Sequence, residues 1–140
     1  MTTFNEVAFW EALETWRARP FERHTCTCYH FVADVLQKAT GEVRDVPVTQ
    51  DDESGYLHNH GFRNLYHAMQ KYFGKAIPPL QAHIGYVVYR KADVEGFEPG
   101  EATLGIVGRG SAWFLGARGL EQVRLGRCAR AFRTYDSMSV

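Results

Sequence analysis

The chain has 140 residues, of which 45% are hydrophobic and 14% aromatic, enough to build one hydrophobic core in a single domain. Lysine plus arginine and aspartate plus glutamate both number 16, so the formal net charge is zero, which argues against a nucleic-acid partner or an anionic membrane surface. No apolar run approaches the roughly 18 to 20 residues of a membrane span, and the first residues lack the basic region of a signal peptide, so we expect a chain made in the cytoplasm without a membrane span.

The first predicted helix starts close to the N-terminus. Thr3 and Glu6 have the spacing of a capping box. The apolar residues that follow recur on one helical face as far as about Ala18, and Pro20 forbids continuation. We expect that face to pack on the core through Phe9, Ala12, Leu13 and Trp16.

Two further helices are predicted after a polar loop at residues 21–27. One begins almost at Cys28 and ends at Gly41, a residue suited to the C-terminal cap. A long connection with no clear period covers residues 42–60, and a third helix then ends at Gly74. The apolar faces of the two helices consist of Phe31, Val32, Val35, Leu36 and Ala39, and of Phe62, Leu65, Tyr66, Met69 and Phe73.

The second half of the chain changes to short strands after Pro78-Pro79. Glycine-containing turns separate four predicted runs, at residues 84–89, 103–107, 112–115 and 120–125. Helices followed by strands favour an α+β fold in which N-terminal helices pack on a C-terminal antiparallel sheet. We find no repeat or linker, so we expect one domain over residues 1–140.

The three cysteines are Cys26, Cys28 and Cys128. An odd number argues against a secreted disulfide framework, and Cys26 and Cys28 are too close to form an easy bridge with each other. Cys28 has the more distinctive position, because the first turn of a helix stabilises a thiolate through free N–H groups and the helix dipole. A buried structural thiol is the alternative interpretation of the same residue.

Several motifs resemble those of a known family. Pro20-Phe21, Cys28, the run Phe31-Val32-Ala33-Asp34 and Thr40-Gly41 come first in chain order. The remaining ones are Leu104-Gly105-Ile106-Val107, Ala112-Trp113-Phe114-Leu115-Gly116 and the end Leu125-x-x-Cys128-x-x-Ala131-Phe132-Arg133. Together they resemble small bacteriophage and prophage tail proteins related to the NlpC-type papain-like cell-wall cysteine peptidases, over about residues 8 to 134.

The resemblance implies a papain-like fold in which the cysteine-bearing helix packs on an antiparallel sheet. It also implies a place in the virion at the tail tip or baseplate, where the partners would be other tail proteins such as the hub and the distal tail protein. Such assemblies are symmetric, and some relatives cut peptidoglycan during genome delivery.

The active-site positions of the family are not all retained. Active members place aspartate before the nucleophile and histidine just before the strand that corresponds to Leu104-Gly105-Ile106-Val107, whereas Thr27 and Thr103 stand at those positions here. A nucleophilic thiol needs a base, and the base needs an orienting partner. His83, His24 and His30 are the candidates for a rearranged base, and a solvated surface histidine is the alternative for each. Cys28 is therefore a candidate nucleophile without an assigned base.

Three other patterns have competing interpretations. Possible metal ligands stand at every second position in one stretch, at His24, Cys26, Cys28 and His30, and on an extended strand they would share one face. However, Cys-x-Cys spacing is shorter than the usual Cys-x2-Cys spacing of metal sites, and a helix is predicted to start within the stretch. We therefore expect no metal or cofactor. The cluster His58, His60 and His67 is better explained by a capping and loop role. Near the C-terminus, arginines recur every third residue, at Arg127, Arg130 and Arg133, with Arg118 and Arg124 upstream. This spacing suggests a row of phosphate-binding side chains, but the zero net charge of the chain favours a solvated surface or a protein interface.

Two functions of different class remain. The first is a structural tail-tip component whose papain-like domain binds other tail proteins and has lost peptidase activity, with Trp10, Trp16 and Trp113 serving the core and a partner surface. The second is a peptidoglycan endopeptidase or amidase with Cys28 as nucleophile. If Thr103 replaces the histidine, we expect its side chain to point toward Cys28 and the groove beside Cys28 to be filled.

Overall fold

The structure, a computed structural model, describes residues 3–19, 28–42, 65–91, 102–116 and 119–138. The described residues form three α-helices: α1 at Glu6–Trp16, α2 at Cys28–Thr40 and α3 at Leu65–Phe73. Eight strands are described: β1 Thr3–Phe4, β2 Ala76–Ile77, β3 Val87–Lys91, β4 Ala102–Val107, β5 Ser111–Gly116, β6 Gly119–Arg124, β7 Arg130–Phe132 and β8 Ser137–Met138. The predicted loop at residues 21–27, the connection from residue 43 onwards and Phe62 lie outside the described residues.

The sheet is antiparallel throughout its six strands. Its order is β2-β7-β3-β4-β5-β6, and β1 and β8 form a separate parallel pair. The predicted α+β class with N-terminal helices and a C-terminal antiparallel sheet is confirmed. Among the described helices, none is long and apolar enough to cross a membrane.

Helix α1 starts later than predicted. Thr3 belongs to β1, so the capping box formed by Thr3 and Glu6 is wrong. Asn5 is the N-cap instead, with its side-chain oxygen accepting a hydrogen bond from the Ala8 N–H at 3.0 Å. The predicted apolar face is confirmed, because the buried residues of α1 are Phe9, Ala12, Leu13 and Trp16.

Helices α2 and α3 end immediately before Gly41 and Gly74, the two glycines at which the sequence predicts their ends. Gly41 and Gly74 have φ angles of 80° and 90°, and each N–H closes the last helical turn on a carbonyl four residues earlier. A positive φ is the conformation in which glycine avoids the steric cost of a Cβ atom. The α2 face predicted from the periodicity is fully part of the core, since Phe31, Val35 and Leu36 are 0% exposed.

The sheet is buried on both faces. Val87, Ile106, Trp113 and Phe132 share one face by register, and Phe73 of α3 contacts Phe132 there at a ring distance of 6.2 Å. The opposite face includes Val88, Gly105 and Phe114, of which Val88 and Phe114 are 0% and 1% exposed. Burial on two faces explains why the strand sequences are nearly continuous apolar runs.

The two ends of the described chain are held together. Phe4 of β1 stacks on Tyr135 at 4.6 Å, and the Tyr135 hydroxyl donates to the Ile84 carbonyl at 2.7 Å. Thr134 donates to the carbonyl of Gly85 at 2.7 Å. These contacts hold the turn before β3 against the N-terminal segment.

Candidate functional site

The candidate nucleophile stands at the first residue of α2. The helix spans Cys28–Thr40, as the sequence predicts. The first backbone N–H groups of a helix have no intrahelical acceptor, so this position favours a thiolate over a thiol. The side chain of Cys28 and all of residues 20–27, which include Thr27, His24 and Cys26, lie outside the described part of the structure.

Helix α1 packs along α2 and contacts it near both of its ends. Trp16 at the end of α1 donates from its indole Nε1 to Asp34 Oδ2 at 2.7 Å, and its ring lies edge-on to Phe31 at 5.5 Å. At the other end, the Asn5 N–H donates to the Ala39 carbonyl at 2.8 Å. The two helices are therefore antiparallel, and α2 begins beside the end of α1. The motif residue Asp34 thus connects the two helices.

This connection should contribute measurably to stability. A double-mutant cycle combining Trp16→Phe with Asp34→Ala is expected to give a coupling of about 1–2 kcal/mol, because the acceptor is a carboxylate in a partly buried contact. Chemical denaturation of the four proteins measures it. A cycle of Trp16→Phe with Lys38→Ala is the control, since Lys38 contacts Asp34 and not the indole. A coupling indistinguishable from that control would show that the indole bond contributes nothing.

The beginning of α2 lies at the end of the sheet where β4 starts. The Leu120 N–H of β6 donates to the Arg17 carbonyl, so α1 ends beside the start of β6, at the end of the sheet where β5 finishes. At the start of α1, Glu6 forms an ion pair with Arg109 in the turn between β4 and β5. Because β4 and β5 are antiparallel, Thr103 near the start of β4 shares the end of the sheet that holds the start of α2.

Arginine and phenylalanine surround the Thr103 position on its sheet face. Arg90 of β3 is directly opposite Thr103, and Phe114 of β5 is directly opposite Gly105, two residues further along β4. The Arg90 guanidinium carbon lies 4.6 Å from the centroid of the Phe114 ring. The side chain of Thr103 is outside the described part, so its predicted orientation toward Cys28 stays a prediction.

Glycine at position 105 is what lets Phe114 lie there. A Cβ atom on Gly105 would come within 2.7 Å of two Phe114 ring carbons and 2.6 Å of the Trp113 carbonyl oxygen. At the end of β5, the Glu121 side chain covers Gly116 in the same way. Side chains therefore cover the sheet surface next to the Thr103 position. The filled groove expected beside Cys28 stays a prediction.

His83 lies at the wrong end of the sheet to serve Cys28. The Tyr86 N–H donates to the His83 carbonyl and the Gly85 N–H to the Val107 carbonyl, which places His83 beyond the end of β4. That end is close to the C-terminal end of α2, and the 13 residues of the helix span roughly 20 Å at 1.5 Å per residue. His83 is exposed and lies edge-on to Tyr86 at 5.4 Å. This position agrees with the alternative interpretation of His83 as a solvated surface histidine.

His30 is close to Cys28 in sequence but is poorly spaced for a catalytic pair. Side chains two residues apart on a helix do not face each other. Burial lowers the pKa of the partly buried His30, which favours the neutral ring. His24, the third candidate base, lies outside the described residues.

The metal pattern is not on one extended strand. Helical backbone begins at Cys28, so Cys28 and His30 do not continue the alternation with His24 and Cys26. Within the described ranges, no group of three histidine, cysteine, aspartate or glutamate side chains is placed to hold a metal ion. His58 and His60 are outside those ranges, as is the side chain of His67 on α3.

The third cysteine is a buried free thiol. Cys128 is 8% exposed, and burial raises its pKa to about 11 although the nearby Arg90 charge acts in the opposite direction. We expect iodoacetamide to alkylate Cys128 about tenfold faster per pH unit between pH 7 and 10, following the thiolate fraction. Mass spectrometry of a Cys26→Ser/Cys28→Ser variant measures this. A rate that levels off below pH 9 would contradict it.

The C-terminal arginines are exposed but belong to different elements. Arg127 follows β6 in a short 3-10 helix, Arg130 lies in β7, and Arg133 follows β7. Arg130 and Arg133 donate to the backbone carbonyls of Ala129, Tyr135 and Asp136. Two of the three therefore serve local structure. Arg90 was not predicted from the sequence, where it appears only as the first of two cations, Arg90 and Lys91, that end strand Val87–Lys91.

Comparison with known proteins identifies a family and no function. Residues 4–134 match the family described as "Domain of unknown function (DUF6950)". The search of curated proteins found no match. The matched range contains the described helices, the six-stranded sheet and the Arg90–Phe114 contact. Because the match covers most of its length, the chain belongs to the DUF6950 family.

Proposed function

We propose that this chain is a structural component of a bacteriophage tail tip or baseplate, a papain-like NlpC-type domain that binds other tail proteins and does not hydrolyse peptides. The observation that carries the loss of activity is the surroundings of Thr103. Where the related peptidases have a histidine, the neighbouring side chains are Arg90 and Phe114, and His83 lies at the opposite end of the sheet.

The chemistry of these neighbours does not support proton transfer. Arginine stays protonated in proteins and cannot accept a proton from a thiol near neutral pH. Phenylalanine has no proton to exchange, and a threonine hydroxyl is not a base in this range. A thiol at a helix start can ionise, but without an acid the leaving amine receives no proton.

An exposed apolar region supports a binding role. Val7 on α1 is 68% exposed, one helical turn before the partly buried Trp10. Trp10 and the partly buried Trp113 both approach Gly108, next to the ion pair of Glu6 with Arg109. Trp16, in contrast, is 3% exposed and belongs to the core. Partly exposed tryptophans with a polar rim are typical of protein interfaces, and the partners we propose are the hub and the distal tail protein in a symmetric assembly.

Virion composition tests the proposal. Mass spectrometry of purified particles of the encoding phage should detect the chain in a constant ratio to the hub protein, in the tail fraction after dissociation. Particles produced with Cys28→Ser should contain the same ratio, because the thiol has no role in assembly. Absence of the chain from purified tails would rule out the structural role.

The position of Cys28 favours one alternative, a cysteine peptidase that cuts peptidoglycan. The helix starts at Cys28, as a catalytic cysteine requires. This alternative predicts that iodoacetamide at neutral pH reacts much faster with Cys28 than with the buried Cys128, and that Cys28→Ser abolishes muropeptide cleavage. Equally slow alkylation of both cysteines would count strongly against it.

A further inference from the structure

One cation of the described structure lacks the partners that a buried guanidinium normally has. Arg90 is partly buried in β3, and its Nε is inaccessible to water and has no hydrogen-bond acceptor. None of the described ion pairs involves it. The other arginines whose contacts are described donate to a carboxylate or a backbone carbonyl, or stack on an indole, as Arg19 does on Trp16.

The Arg90 side chain is held in one orientation. Its guanidinium lies over the Phe114 ring, and Phe114 is itself fixed against Gly105. Stacking on an aromatic ring leaves the edges of the planar guanidinium free for bidentate hydrogen bonds. Of the Arg90 nitrogens, only Nε is both fully buried and without an acceptor, and none of the described hydrogen bonds uses the two Nη atoms.

The neighbouring thiol does not neutralise this charge. Cys128 lies close enough to interact with Arg90, but burial keeps it protonated, with a pKa of about 11. Glu121 is opposite Phe114 in the sheet register, and its side chain lies against Gly116 without an ion pair to Arg90. No anion among the described residues therefore forms an ion pair with the Arg90 guanidinium.

We propose that Arg90 is a recognition site for one carboxylate, supplied by an acidic side chain of a partner protein. A carboxylate fits the planar fork through two parallel hydrogen bonds and balances one positive charge. A phosphate dianion would exceed that charge. This site deepens the proposed function, because it assigns the chemistry of the contact that a tail-protein partner would make.

The test follows the arginine Nε–Hε signals of the full chain by NMR, with N-acetylglutamate amide as the carboxylate probe. The Arg90 signal, assigned by its absence in Arg90→Gln, should shift in a saturable manner. Inorganic phosphate and sodium chloride at matched ionic strength should cause no saturable shift. Arg124→Gln is the matched control, because it removes an exposed arginine at the far end of β6 and should leave the Arg90 response unchanged.

A second variant separates binding from folding. Arg90→Lys keeps the charge but loses the planar fork, so affinity for the probe, followed by the probe's own resonances, should fall about tenfold or more while the backbone spectrum stays native. An absent Arg90 shift, an equal response to phosphate, or unchanged affinity in Arg90→Lys would each overturn the proposal.

Failure of this site and failure of the proposed function give different results. If the chain is present in tails at a constant ratio but Arg90→Gln changes neither probe binding nor incorporation, only the carboxylate site is wrong. If the Arg90 signal responds as expected but the chain is absent from tails, the site stands and the tail-tip role is wrong.

Discussion

Replacing Phe114 with alanine should destabilise the protein by about 3–5 kcal/mol, enough to unfold a marginally stable domain of this size. Phe114 is 1% exposed in a central strand, packs on Gly105 and supports the Arg90 guanidinium. Its loss creates a cavity and removes the cation–π contact at once. Urea denaturation followed by circular dichroism measures the effect.

The control for this variant is Tyr72→Ala, which removes an aromatic ring that is 42% exposed on α3. We expect a much smaller cost there, because less apolar area leaves the water on folding. Similar losses in the two variants would mean that Phe114 does not have the packing role assigned to it.

Replacing Gly85 with alanine should be nearly as damaging, for a different reason. Gly85 has a φ of 86°, and a Cβ atom there would lie 2.3 Å from a ring carbon of Phe4, which is 0% exposed. The backbone strain and the clash with the confined Phe4 ring both destabilise the fold, so we expect the free energy of unfolding to fall by about 2–4 kcal/mol. Differential scanning calorimetry of the variant measures the shift in Tm.

Gly110 provides a matched control for this substitution. Its φ of 76° is similar, but a Cβ atom at this position would have no neighbour within 4 Å, so Gly110→Ala should show the strain alone, about 1 kcal/mol. Adding Phe4→Leu to Gly85→Ala should recover part of the excess loss. Equal losses at the two glycines would contradict a role for the Phe4 contact.

The helices were predictable because their apolar faces are long enough to show a period. The faces that begin at Phe9 and Phe31 are buried as expected, and Gly41 and Gly74 end their helices. The start of α1 was not predictable in detail. The predicted cap, Thr3, pairs instead with Ser137 at the far end of the chain, and Asn5, which was not predicted, is the N-cap.

The short strands and the site depend on contacts that a local pattern does not contain. Strand β7 has three residues, yet it lies between β2 and β3 in the sheet. The position of Cys28 at a helix start follows from periodicity, whereas the contact of Arg90 with Phe114 depends on the register of three strands. The position of His83 likewise follows from the direction of β3 and β4, which sequence spacing does not reveal.

Digestion of purified muropeptides tests the central claim most directly. The claim is that this α+β domain, with Arg90 and Phe114 around the Thr103 position, has no hydrolase activity. The wild-type chain, Cys28→Ser and an active NlpC-type peptidase are incubated with the same muropeptides, and the products are separated by liquid chromatography with mass spectrometry. We predict cleavage by the active peptidase alone, with identical chromatograms for wild type, Cys28→Ser and buffer. New peptide products from the wild type that Cys28→Ser does not release would contradict the account.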